Sequence, residues 1–176
     1  MERITDRTNG SDELWRWSAR QLARGIATGH ISAREAVESC LARIGTVNPR
    51  LTALVEVSRE EALEAADEAD RHTASGAELG PLHGVPVAIK VNSDQAGHAT
   101  TNGVAAFKDN ISSTDSPHVA NLRRAGAIFV GRSNTPAFSY RWFTSNAWAQ
   151  PVVAFDLGGS VGQDARRARD VDVVGS

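Results

Sequence analysis

A single cysteine, Cys40, among 176 residues excludes an intramolecular disulfide and any zinc cluster built on cysteine. The five histidines, His30, His72, His83, His98 and His118, are scattered. With no i, i+4 pair and no His-Glu-x-x-His word among them, no metal site is expected. No apolar run approaches the length of a membrane span, and the polar stretch Met1–Glu13 lacks the apolar segment of a secretory leader. Neither sign of charge dominates: 19 Lys and Arg stand against 21 Asp and Glu, a net charge of -2. That balance gives no electrostatic reason to expect nucleic acid or an anionic membrane as partner. The short basic cluster Arg166, Arg167 and Arg169 is neutralised by Asp164, Asp170 and Asp172. No glycine-rich loop has phosphate-binding spacing with a helix after it, so no nucleotide and no other cofactor is expected. What remains, 41% hydrophobic and 23% charged residues, is the composition of an ordinary globular protein with a core, expected in the cytoplasm.

The first 75 residues read as helices. Leu14, Trp15, Ala19, Leu22 and Ile26 form one apolar stripe that stops at Gly29. A second helix opens with the capping box Ser32–Glu35, buries Val37, Cys40, Leu41 and Ile44, and ends before Pro49. A third opens with the same box at Ser58 and Glu61. Its apolar face is mostly alanine, which suits close packing or a place at the surface. From residue 80 the texture changes. Val85–Val91 reads as a short buried strand, followed by a polar loop from Asn92 to about Thr114. A helix begins at Ser116 and Pro117 and ends at Gly126, and a second buried strand follows from Ile128. Strand, helix, strand in this order predicts a parallel pair in an α/β sheet. The aromatic-rich segment Thr135–Asn146 is expected in the core, with a substrate-cleft wall as the alternative.

One lysine, Lys90, stands at the end of the first apolar run. Strand alternation puts Val87 and Ile89 on one face and Lys90 on the other or at the strand end. Burying a charged amine is costly, so burial would favour its neutral form, and a neutral amine is a competent base toward a serine hydroxyl. The alternative is a solvated strand end.

The words around the lysine decide between these. Gly84-Val85-Pro86-Val87, Ile89-Lys90, Thr100-Thr101, Ala125-Gly126-Ala127 and Gly131-Arg132-Ser133-Asn134-Thr135 fall in the order found in the amidase signature family, which the chain resembles to about Asn146. Where many members have Asp-Asn after the lysine, Val91-Asn92 stands here. The resemblance implies the N-terminal part of the family's α/β/α fold, a helical N-terminus followed by strands of a mixed central sheet, incomplete in this chain. It also implies hydrolysis of a carboxylic amide by a Ser-cisSer-Lys triad. In that scheme the lysine, matching Lys90, deprotonates a bridging serine, which in turn activates the nucleophilic serine. The substrate is a small-molecule amide, and family members of this type often make dimers through the N-terminal helices. Transamidating members, which work on charged tRNA within a larger assembly, are an alternative.

The family's bridging serine lies in a Gly-Gly-Ser-Ser-Gly-Gly loop. Gly158-Gly159-Ser160 is the nearest word here, with Val161 and Gln163 replacing loop residues, so Ser160 is the candidate bridging hydroxyl. The nucleophile is expected beyond Ser176. The reading divides the chain into residues 1–147, which carry the family words, and a non-homologous tail, 148–176. Read one base later, codons for Trp148-Ala149-Gln150-Pro151-Val152-Val153 permit Gly-Arg-Asn-Pro-Trp, a family-like continuation, so the tail is expected to be out of frame. On these grounds the chain by itself is expected to be inactive and of marginal stability. A non-catalytic remnant and a helical interaction module are the alternatives to an amidase.

Overall fold

The computed structural model describes residues 11–141 together with 144 and 146. A 3-10 segment, Ser11–Arg16, leads into helix α1, Ala19–Ala27, and helix α2, Ala33–Leu51. Strand β1, Leu54–Val57, and helix α3, Arg59–Ala74, follow. Strand β2, Pro86–Lys90, helix α4, Pro117–Arg124, and strand β3, Ile128–Ser133, complete the set. The three strands lie in the order β1-β3-β2. β2 runs parallel to β3, as the strand-helix-strand order requires, while β1 runs antiparallel to it.

Successive residues of β3 face opposite layers, as a strand's period of two dictates. Ile128 and Val130 join Leu22, Ile26, Val37, Leu41 and Ile44 of α1 and α2 in the main core. Phe129 and Ala127 pack with Ile89 of β2 and Val119 and Leu122 of α4. The result is a helical layer on each face of a mixed sheet, the α/β/α arrangement expected.

The first stripe is one face but not one helix. Ser18 accepts from the Gln21 backbone N–H while the Gln21 carboxamide oxygen accepts from Ser18 N–H, so a capping box restarts the helix after Arg16. Leu14, Leu22 and Ile26 are buried as the pattern predicts. Helix α2 opens with the expected Ser32–Glu35 box, but it passes through Pro49 to Leu51 instead of ending before it. The proline sits in the last turn. There its missing N–H costs one intrahelical hydrogen bond close to the helix end, where the chain is about to leave the helix anyway.

Asp70 of α3 supplies the rest of the α2 cap, accepting from Ala33 N–H at 2.7 Å and Arg34 N–H at 3.1 Å. A carboxylate on the exposed amides of a helix start satisfies two of them and complements the helix dipole. The alanine face of α3 resolves as close packing: Ala62, Ala66 and Ala69 are buried in the main core. The expected box at Ser58 does not form. Ser58 has ψ 58, outside cap geometry, and its Oγ is buried without a partner. Cys40 is a free buried thiol on the core side of α2.

Candidate active site

Lys90 ends β2 opposite Ser133 of β3, and the register carries Val91 N–H to the Ser133 carbonyl at 3.0 Å. The β2–β3 pair is held by Gly84 N–H on the Gly126 carbonyl and Ile128 N–H on the Val85 carbonyl. Two of the quoted words, around Gly84 and Gly126, therefore meet at one end of the pair, and Lys90 stands at the other. Burial along β2 leaves Lys90 exposed, against the expectation of a buried amine. The strand's last residue has emerged from between the layers.

Its amine is nevertheless placed. Lys90 Nζ donates to Ser139 Oγ at 3.0 Å. Asn92 Nδ2 lies 3.4 Å from the same oxygen, and Thr135 Oγ1 lies 2.9 Å from it. Four polar side chains thus converge from β2, the loop after it and the segment after β3. Ser139 reaches them through an unusual turn, Ala137–Ser139, in which Phe138 has φ 52 and Ser139 φ 61. Two adjacent non-glycine residues in the left-handed region cost roughly 1–3 kcal/mol each, a strain that surrounding structure must hold. Phe138 N–H on the Asn102 carbonyl at 2.9 Å is one such hold. Asn146 is a second, donating to Asn134 Oδ1 and the Thr135 carbonyl at 2.7 and 2.8 Å. Gly103 is a third: its backbone lies so near the Thr135 carbonyl that a Cβ would stand 2.4 Å from that oxygen.

Phe138 and Tyr140 depart from the core expectation for the aromatic segment, whose Trp142 and Phe143 lie outside the described residues. Phe138 is 52% and Tyr140 88% exposed. Their rings lie 6.4 Å apart, and Phe107 meets Phe138 edge-on at 6.0 Å. They form a surface patch beside Ser139 because the strained turn carries them outward.

Behind the lysine lies a charged cluster that the sequence did not indicate. Arg132 is fully buried, with Nη2 donating to the Ser93 carbonyl at 2.9 Å and Nε and Nη1 without partners. Burial lowers its pKa from the ordinary guanidinium value, and the Glu56 and Asp94 carboxylates oppose that shift. His98, in the polar loop after β2, is largely buried between two carboxylates. Its Nδ1 is 2.5 Å from Glu56 Oε1 and its Nε2 3.4 Å from Glu61 Oε2. The two ends of this imidazole tie the polar loop to β1 and α3. Among the described residues no group of His, Cys, Asp and Glu could hold a metal ion, and no helix is long and apolar enough to cross a membrane. Ser160 and the tail 148–176 lie outside the described residues.

The Amidase family model matches residues 35–160. An indoleacetamide hydrolase of Bradyrhizobium diazoefficiens is 53% identical over 133 residues, 76% of this chain and 25% of that protein. A glutamyl-tRNA(Gln) amidotransferase subunit of Carboxydothermus hydrogenoformans is 38% identical over 158 residues, 87% of this chain and 33% of its own length. Among solved structures, a bacterial aryl acylamidase of the amidase signature enzymes superposes with a TM-score of 0.70 at 29% identity, covering 74% of this chain and 27% of the other. The chain spans a quarter to a third of the length of the curated relatives it matches.

Proposed function

Because the chain belongs to the amidase family, we propose that it takes part in cleavage of a small-molecule carboxylic amide, releasing ammonia or an amine, with Lys90 as the general base. The observation that carries this reading is the lysine at the end of β2, inside the family's words, with its amine 3.0 Å from a serine hydroxyl. A base must stand within hydrogen-bond reach of the proton it moves, and Lys90 meets that requirement toward a hydroxyl. Ser160, the last residue of the family match, is retained as the candidate bridging serine between Lys90 and a nucleophilic serine. In this scheme Lys90 takes the bridging hydroxyl's proton, the bridge takes the nucleophile's, and the proton returns to the departing amine.

The reading keeps residues 1–147 as the portion that carries the family words and residues 148–176 as a separate tail, although the family match itself reaches residue 160. A homodimer through the N-terminal helices and a cytoplasmic location belong to the same proposal. Similarity to an amidotransferase component favours a second reading, a transamidating role in which a partner chain receives the nitrogen or supplies it.

The test is hydrolysis of 4-nitroacetanilide by the purified chain and its Lys90→Ala variant. Turnover lost in the variant supports the proposal. Equal turnover in both removes Lys90 from the chemistry. No turnover by a folded chain that holds a defined partner favours the interaction module, and no turnover by a poorly folded chain favours a remnant.

A further inference from the structure

We propose that Ser139 is an acyl-accepting nucleophile served by Lys90, so that residues 90–139 contain a serine–lysine pair reactive toward activated aryl esters. This goes beyond the amidase reading: it shares Lys90 with it but needs neither Ser160 nor any hydroxyl outside the described residues. Three observations carry it. Lys90 Nζ lies 3.0 Å from Ser139 Oγ, the reach a base needs, and both residues are exposed, so an acyl carbonyl can approach. The paired left-handed residues Phe138 and Ser139 present the hydroxyl outward at the tip of a strained turn. Asn92 Nδ2, 3.4 Å from Oγ, brings a further polar side chain to the same hydroxyl.

Substrate class follows from the neighbours. Phe138, Tyr140 and Phe107 are an aromatic patch at the nucleophile's edge, suited to an aryl leaving group. Thr135 Oγ1, at 2.9 Å, is a further hydrogen-bond partner of the serine oxygen. In the reaction, unprotonated Lys90 takes the Ser139 Oγ proton as the Oγ–acyl carbon bond forms. The bond from that carbon to the aryl oxygen then breaks, and the aryloxide leaves with the electron pair and recovers a proton from Lys90 or water. Water then gives a proton to Lys90 as its oxygen bonds the acyl carbon; the carbon–Oγ bond breaks, Ser139 Oγ takes that proton back from Lys90, and the carboxylic acid leaves.

The chain has two lysines, Lys90 and Lys108, so acyl adducts can be assigned residue by residue. The purified chain is treated with 4-nitrophenyl acetate and mapped by peptide mass spectrometry at early times. The expected result is acetyl on Ser139, reduced at least tenfold in Lys90→Arg, which keeps an exposed cation at the strand end but removes the base. Circular dichroism establishes that the variant keeps its fold. Acetyl confined to the amines of Lys90 and Lys108, or Ser139 labelling undiminished in Lys90→Arg, overturns the proposal. A missing Ser139 adduct leaves the amidase reading untouched, and failed anilide turnover leaves the adduct standing.

Discussion

Replacing Gly103 by alanine tests whether the loop after β2 holds the turn that brings Ser139 to Lys90. Gly103 is buried at φ +71, and an added Cβ would stand 2.4 Å from the Thr135 carbonyl oxygen and 3.0 Å from two Pro136 backbone atoms. A left-handed alanine costs about 1–2 kcal/mol. Forcing a methyl against backbone that cannot rotate away adds about 1–3 kcal/mol, as overpacking does elsewhere. The sum, about 2–5 kcal/mol, is a large part of the roughly 5–15 kcal/mol that holds a domain of this kind together. With a urea dependence of about 1–3 kcal/mol per molar, the midpoint falls by about 0.7–5 M, near 2 M at the centre of both ranges. Gly97→Ala is the control. Gly97 has φ +84 but nothing within 4 Å, so that variant carries the backbone strain without the collision. Urea titration by far-ultraviolet circular dichroism of both variants reads the difference. If Gly103→Ala unfolds no earlier than Gly97→Ala, the turn is not braced by this glycine and the reasoning is wrong.

Other outcomes follow from single residues. Asp70→Ala removes the carboxylate on the first amides of α2 and should cost about 1–2 kcal/mol, read as an earlier urea midpoint. The Arg123 guanidinium hydrogen-bonded to Asp115 holds that carboxyl below its ordinary pKa. Its contribution is therefore present above the unfolded value near 4 and lost as pH falls through the lower folded value. Arg123→Met should flatten the stability profile in that acid window, measured by urea midpoints at successive pH, and an unchanged profile would count against the pairing. Burial pushes the Cys40 thiol up to about 11 from 9.0. Stability tied to it is present below pH 9 and lost as pH rises toward 11, and iodoacetamide should label Cys40 only after unfolding.

How much of this was legible depends on how local each feature is. The elements α2, α4, β2 and β3 each carry their own signal, an apolar period or run bounded by a cap or glycine, and they stand where the pattern puts them, save that α2 runs on through Pro49 to Leu51. β1 went unread because its four residues, Leu-Val-Glu-Val, have a half-exposed pattern and become a strand through pairing with β3. The Ser58 word had the letters of a capping box, but its backbone is committed to the β1–α3 corner, where Ser58 N–H bonds the Val130 carbonyl. The place of Lys90 at a strand end was legible; its exposure was not, since that depends on what packs over the strand. Its contact with Ser139 spans 49 positions and rests on a turn that no local rule assigns to Phe138 and Ser139. Burial of His98 likewise depends on Glu56 and Glu61, from elements that precede it by more than thirty residues.

The strand order has a consequence for synthesis. The central strand, β3, is the last of the three to leave the ribosome, while β1 and β2, made earlier, do not pair with each other. At roughly 5–20 residues per second, β1 waits about 4–14 s for a partner. During that interval the nascent chain can bury apolar surface only between its helices, and any companion that shields the waiting strands would act within those seconds.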